Sequence, residues 1–318
     1  MKTKNLFLLH ALIAGLGLIP VVNCIGQPDA PELADLSPNP VLATSKATLG
    51  HVVFGNGSFA AVGSGGTILT SRDGAAWVKR NSGTSHKLHG IAFGLGKFIA
   101  VGERGMILQS TDAITWTVND VGTLNALQAV GFGNQLFVAV GSGGLIRTSH
   151  DGSSWQLGCA DATDDSHCVS FGNGVFVAAG SRQTILSSDD GENWARRSEH
   201  GSIGLRGIAF GSGRFVAVGC TGTVLTSSDG VDWIQETPAA AGHLWGVTHG
   251  NGMFVAVGEN GSVLTSNAGT QWTARKSGTR HRLNAVVFGN GKFVAVGCTG
   301  IVVSSGDGID WTKSGAPQ

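Results

Sequence analysis

Beyond residue 45 the apolar residues fall in short runs of four to six, rich in Val, Ile and Phe, separated by clusters of Gly, Asn, Ser and Asp. Residues 205–233 show the cadence. Leu205–Phe210 is one run, and Gly211-Ser212-Gly213 interrupts it. Phe215–Val218 follows, Gly219–Gly222 interrupts again, and Thr223–Thr226 forms a third run. Ser228-Asp229-Gly230 then precedes Trp233. β-Branched and aromatic residues suit a pleated, half-buried surface, and the interrupting residues are those of tight turns. No apolar stretch has helical spacing, and glycine at this density would cost a helix about 1 kcal/mol at each position. The pattern predicts four short antiparallel strands.

This unit recurs. Trp77, Trp116, Trp155, Trp194, Trp233, Trp272 and Trp311 are each 39 residues apart, and residues 46–318 divide into seven copies without insertion or deletion. Phe59, Phe98, Phe137, Phe176, Phe215, Phe254 and Phe293 stand 18 before each Trp. A second Phe stands 23 before six of them, with His249 in the remaining copy. Gly63 and Ser71 begin two further columns that hold in every copy.

A four-stranded sheet of this size cannot bury both faces alone, whereas copies stacked around an axis bury them all. The sequence therefore predicts an all-β fold, a seven-bladed β-propeller with four antiparallel strands per blade. Small residues in the first strand (Gly90, Ala129, Cys168, Gly207, Gly246, Ala285) fit innermost strands that crowd near the axis. Each Trp is expected to wedge between neighbouring sheets.

Composition narrows the function. Lys plus Arg and Asp plus Glu are both 21, so no basic excess points to nucleic acid. There are 51 glycines and only 7 prolines, the mark of a folded, turn-rich chain rather than a disordered one. Tyrosine is absent, which removes any mechanism built on it.

The N-terminus reads as a targeting segment. Lys2 and Lys4 precede an apolar run from Leu6 to Val22 broken by Gly15, Gly17 and Pro20, as in a secretory signal peptide. Residues 1–26 are taken as the signal, 27–45 as a Pro-rich linker, and 46–318 as the propeller. The expectation is export, to the periplasm, the cell surface or the medium. Membrane contact would follow only if Cys24 were lipidated. In an exported chain Cys159 and Cys168, which flank the link between copies three and four, are candidates for a local disulfide. No C-x-x-C or H-x-x-x-H spacing supports a metal site, and no cofactor is implied.

Asp73, Asp112, Asp151, Asp190, Asp229 and Asp307 lie four before the Trp and precede Gly, or Ala113 once. Such loops serve either as hydrogen-bonded turns or as Ca²⁺ ligands. One carboxylate per loop favours the turn. The stretch Ser187-Ser-Asp-Asp-Gly-Glu-Asn-Trp194 resembles the Asp-box (BNR) repeat S-x-D-x-G-x-T-W, with Asp one position nearer the Trp and Ala268 replacing it in copy six. The cadence Gly-x-Ile-Leu-x-Ser-x-Asp-Gly is similar to the photosystem II stability/assembly-factor-like propellers. The resemblance covers 46–318 and implies the fold. It implies little about activity, since Asp boxes occur in sialidases, other glycosidases, sorting receptors and assembly factors.

In a propeller the turns after strands one and three share one face, and here they hardly vary. The other face carries the divergence. At the start of the innermost strand stand Gly50, His89, Gln128, His167, Arg206, Trp245 and Asn284. The strand two–three turn reads Ser64, Glu103, Ser142, Ser181, Cys220, Glu259 and Cys298, with Arg104, Arg182, Thr221 and Asn260 beside them. Copies within one gene show what the fold requires, so divergent positions are free for another task. The variable face near the channel is the expected binding face, with Trp245 as a sugar-stacking platform. Lys87, Arg280 and Arg282 with His86 and His281 form a positive arc, and Asp161, Asp164 and Asp165 a negative one.

The sialidase chemistry needs a Tyr nucleophile, which is missing. The leading expectation is a non-catalytic exported propeller that binds a protein or a glycan. The alternative is a carbohydrate-active enzyme, hydrolase or lyase, with Glu103 and Glu259 as acid and base or His89 or His167 with Arg206. A third is an assembly factor for a membrane complex, as the resemblance implies.

Overall fold

A computed structural model describes residues 47–120, 123–160, 163–198, 201–237 and 242–314. The predicted signal, the linker with Val41–Ser45, and Asp161 lie outside these. The described residues form seven sheets, each built on four strands of one contiguous copy. Blade five shows the pattern: strands Leu205–Gly211, Arg214–Gly219, Val224–Ser227 and Ile234–Glu236, antiparallel and in sequence order. No α-helix occurs among the described residues, and a short 3₁₀ turn such as Cys220–Gly222 joins strands two and three.

Seven apolar clusters hold the ring, one at each interface between blades. One joins Val138 and Leu136 of blade three to Phe176 and Trp194 of blade four. Another joins Val294 and Val296 of blade seven to Leu49, Phe59 and Trp77 of blade one, so the circle closes by the contact used everywhere else. The expected wedges are there: each tryptophan packs with the preceding blade. The seven phenylalanines 18 before them are fully buried, each worth about 1.5–3 kcal/mol of transfer free energy.

The second Phe column explains a glycine. A Cβ on Gly172 would fall inside the ring of Phe210 from the next blade, and Gly55, Gly94, Gly133, Gly250 and Gly289 stand in the same relation to the following Phe. His249 takes the ring's place over Gly211, and its Nε2 lies 2.9 Å from the Ser212 hydroxyl. Turns clasp across the same seam. Asn56 Nδ2 donates to the Thr111 carbonyl at 3.3 Å, Asn173 to Ser228 and Asn290 to Arg72, so turns after strands one and three do share a face.

One sheet departs from the plan. Cys159–Ala160, in the link before blade four, adds a two-residue parallel strand outside that blade's fourth strand. This removes the expected disulfide. Cys159 is exposed on the outermost strand, and Cys168 is buried on the innermost. Four strand spacings of about 4.8 Å separate them, against the roughly 4.4–6.8 Å between Cα atoms that a disulfide needs. Burial pushes the Cys168 thiol up to about 12, and it donates to the Ala179 carbonyl at 3.4 Å.

Candidate functional site

The variable column coincides with a backbone irregularity. In blade five, Leu205 pairs with Gly219 and Gly207 with Val218, leaving Arg206 without a partner in the ladder. The same bulge occurs in every blade, at Gly50, His89, Gln128, His167, Trp245 and Asn284. An inserted residue bends its strand and re-aims its side chain, so the most divergent position is also the one the ladder does not constrain.

The structure divides the column. His167, Arg206, Trp245 and Asn284 line the mouth of a central channel of about 150 Å³. Gln128 instead donates to the Ser142 hydroxyl at 3.4 Å, and His89 is half-buried outside the channel lining. Asn284 Nδ2 donates to the Leu49 carbonyl at 2.7 Å and so braces the seam between blades seven and one.

Trp245 is the centre of the mouth. It is half-buried, with the guanidinium carbon of Arg206 5.2 Å from the ring centroid and that of Arg282 at 4.5 Å. These arginines come from blade five and from the link into blade seven, on either side of blade six. The indole meant as a sugar platform is therefore flanked by cations. Such contacts contribute about 0.5–1 kcal/mol each at exposed sites. Arg282 Nε donates to Asn284 Oδ1 at 2.8 Å, and neither arginine forms an ion pair with a carboxylate among the described residues.

Two channel residues escape the sequence reading. His51 is the seventh member of the small first-strand column, and its size breaks that column; this was the available signal. It donates one imidazole N–H to the Ile91 carbonyl, while Nδ1 is buried without a protein partner. Thr248 is 2% exposed and its hydroxyl is equally unpartnered. Its counterparts are Val53, Ala92, Gly131, Ser170, Ala209 and Val287, so Thr248 and Ser170 are the two hydroxyls of a small apolar column, which is visible in the sequence. Burial lowers His51 to about 4. Burial, then Lys87, does so for His89, and burial, then Arg206, for His167. All three are neutral imidazoles at pH 7.

The second variable column is largely occupied by the fold. Ser64 Oγ accepts from Thr48 N at 3.0 Å, and Glu103 Oε2 accepts from Lys87 N at 3.0 Å, each capping the link into its own blade. Ser181 Oγ lies 3.0 Å from His167 Nε2. Arg104, Arg182, Thr221 and Asn260 all sit at positive φ, between 54° and 57°. Asn260 borders a groove of about 820 Å³ between blades six and seven, whose other walls include Arg275, Lys276, Arg280 and Lys313.

Glu103 and Glu259 occupy equivalent turns of blades two and six, and neither lines the channel. The geometry brings no carboxylate pair together there. The two arcs also differ from expectation. Asp164 accepts from Arg196 at 2.7 Å and Thr184 at 2.9 Å, and Asp165 from the Gly143 amide at 2.8 Å, so these acids are spent inside the fold. Of the positive arc, His86 Nδ1 lies 3.8 Å from Glu103 Oε2, while Lys87, Arg280 and Arg282 form no ion pair with a carboxylate among the described residues.

On the opposite face the aspartate side chains of the Ser-x-Asp-Gly turns bond within their own turns. Asp190 Oδ1 accepts from Glu192 N and Asn193 N at 2.8 Å and from the Ser188 hydroxyl at 2.9 Å. Trp194 Nε1 donates to the Gly191 carbonyl at 2.8 Å. Amide bonds from Asn193 hold the Asp190 carboxyl well below the usual range, and those from Ser154 and Ser153 do the same for Asp151. These carboxylates are turn acceptors. No group of three or more His, Cys, Asp or Glu able to hold a metal ion occurs among the described residues.

Neither a family model nor a curated protein matches the sequence. Solved structures do match the fold. The chain is similar to YCF48 from Cyanidioschyzon merolae, with TM-score 0.64 and 17% identity over 81% of this chain and 95% of that one. It is similar to YCF48 bound to a D1 peptide, with TM-score 0.68 and 19% identity over 85% and 97%. The computationally designed Ika8 protein gives TM-score 0.61 and 13% identity over 82% and 96%. At these identities the likeness shows a shared propeller fold, and the count of seven blades comes from this chain's own sheets.

Proposed function

We propose that this chain is a non-catalytic propeller that binds an acidic segment of another protein at its variable face, over the channel mouth. The observation that carries this is the Arg206–Trp245–Arg282 stack, two guanidiniums beside one indole with no carboxylate paired to either among the described residues. Trp and Arg are the side chains that most often anchor protein interfaces. The basic groove between blades six and seven extends the same polarity outward. A protein partner has support from the peptide-bound YCF48 structure. The flanking of Trp245 by cations weighs against sugar stacking, and the dispersed Glu103 and Glu259 weigh against hydrolysis. With residues 1–26 read as an export signal, the partner belongs outside the cytoplasm, where help in assembling a membrane complex is a fitting role.

The test is fluorescence anisotropy with a labelled Asp/Glu-rich decapeptide and its Lys-substituted counterpart. The acidic peptide should bind, and Arg206→Gln and Arg282→Gln should each weaken it about tenfold, or ~1.4 kcal/mol. Equal binding of both peptides, or full affinity in both variants, would overturn the assignment of the face.

A further inference from the structure

The links into blades two and seven are built alike, and the difference between them points to a second site. Ser82-Gly-Thr-Ser-His-Lys87 and Ser277-Gly-Thr-Arg-His-Arg282 stand at the same place in their copies. Ser82 Oγ donates to the Thr84 carbonyl at 3.1 Å, and Ser277 Oγ to the Thr279 carbonyl at 3.2 Å. The amides of His86 and His281 donate to Thr84 Oγ1 and Thr279 Oγ1 at 3.0 and 3.1 Å. In each preceding blade an arginine of the fourth strand is tied to the third: Arg80 Nε to Thr70 Oγ1 at 2.9 Å, and Arg275 Nε to Thr265 Oγ1 at 3.0 Å.

Where the two differ, the second carries cations. Lys276, Arg280 and Lys313 stand where the first has Asn81, Ser85 and Val118, and Cys298 stands where the first has the carboxylate of Glu103. A Cβ on Gly261 would collide with the Thr279 carbonyl, and one on Gly278 would lie 4.0 Å from the Trp311 carbonyl. The link therefore lies between the strand two–three turn of blade six and the fourth strand of blade seven. That placement brings Lys276, Arg280 and Lys313 together with Arg275 around the groove of about 820 Å³. None of the four forms an ion pair with a carboxylate among the described residues. Asn81, Ser85 and Val118 support the same link without charge, so folding does not ask for these cations, and gathering like charges opposes it.

The turn at the groove's edge shows where an anionic oxygen fits. In blade three the Gly143 amide donates to the Asp165 carboxylate at 2.8 Å, and in blade five the Thr221 amide donates to His243 Nδ1 at 3.2 Å. Blade six has Arg282 at that link position, and a guanidinium offers no acceptor. The Asn260 amide is left for an oxygen from outside. The groove's lining holds no aromatic and no apolar side chain. It gives a sugar ring or a base nothing to stack on, and a partner protein no pocket for an anchoring side chain. Cations, hydroxyls and amides suit a ligand whose whole surface is charged oxygen, and four cations around one groove suit a chain of charges.

We infer that this groove binds an inorganic polyphosphate chain, held by Arg275, Lys276, Arg280 and Lys313, with one phosphate oxygen on the Asn260 amide. The site is separate from the Arg206–Trp245–Arg282 mouth and does not rest on the protein-docking proposal.

Titration calorimetry on the full chain tests the inference with long-chain polyphosphate, tripolyphosphate and orthophosphate, and with heparin as a sulfated glycan for comparison. Affinity should rise with phosphate chain length and fall as salt screens the groove. Lys276→Asn, Arg280→Ser and Lys313→Val together install the side chains of the other link. The free triple variant should be no less stable, and it should bind polyphosphate at least tenfold more weakly. Arg206→Gln should bind polyphosphate as the wild-type chain does. No binding of long-chain polyphosphate, undiminished affinity in the triple variant, or tighter binding of heparin at equal charge would each overturn the inference. Polyphosphate binding without acidic-peptide binding removes the protein-docking proposal alone, and the converse removes this one alone.

Discussion

Thr221 occupies the middle of a tight turn with φ at 56°, where Gly65 and Gly143 stand in other blades. A β-branched residue at positive φ carries strain of about 1–2 kcal/mol. Its backbone N–H, which donates to His243 Nδ1 at 3.2 Å, survives truncation to glycine. Thr221→Gly should therefore stabilise the protein by about 1 kcal/mol, read by urea denaturation at pH 7. The imidazoles make a second residue-scale prediction. His51, His89 and His167 titrate at about 4 in the fold, below an unfolded value of about 6.5. The unfolded chain takes up these protons first, so stability is full above about pH 6.5 and falls as pH drops toward 4. Below that, the low-lying turn carboxylates such as Asp190 add a second loss. Replacing His51 with Phe should make the first fall shallower; an unchanged profile would contradict the neutral, enclosed imidazole. Trp245 stood out in the sequence as the one tryptophan off the 39-residue series, Arg206 in the divergent column and Arg282 in the positive arc. Their meeting around one indole was not legible, because Arg282 lies in a link and reaches Trp245 only across a blade boundary.

A blade is held less by its own hydrogen bonds than by what its neighbour presses into it. Trp194, 5% exposed, packs with Leu136 and Val138 of the preceding blade, and Trp194→Ala should cost about 3–5 kcal/mol. Gly172→Ala makes the complementary test. Its new methyl would overlap the Phe210 ring, and the change should cost at least 1–3 kcal/mol as overpacking. Both are measured by chemical denaturation. The strands, their order and their turns were legible because each column repeats seven times and each turn obeys local chemistry. The bulge was not. Its signature is a register shift between two strands, and the divergent column reports only that the residue is free to vary. The cysteine pair failed for a related reason. Cys159 and Cys168 are near in sequence, but the chain crosses from the rim of the wheel to its hub between them, because Cys159 joins blade four from outside.

At the scale of the molecule, the number of blades was written in the tryptophan spacing, and the closure between blades seven and one uses the same cluster as the other interfaces. Asn284 and Lys292 add side-chain bonds to Leu49 and Asp73 across that seam. The whole-molecule charge balance, by contrast, concealed a difference between sectors. Asp164 and Asp165 of the link before blade four are taken up by Arg196 and by the Gly143 amide, while Arg275, Lys276, Arg280 and Lys313 border a groove with no carboxylate in its walls among the described residues. One face of the wheel thus repeats the same clasped turns, and the other carries the divergence, the cations and the channel mouth. Hydrogen exchange with mass spectrometry, with and without a saturating acidic decapeptide, tests that division most directly. Protection should concentrate in peptides spanning residues 204–207, 243–247 and 281–285, with the Ser-x-Asp-Gly turns unchanged. Protection centred on those turns, around Asp151, Asp190 and Asp229, would place the binding surface on the opposite face and contradict the account.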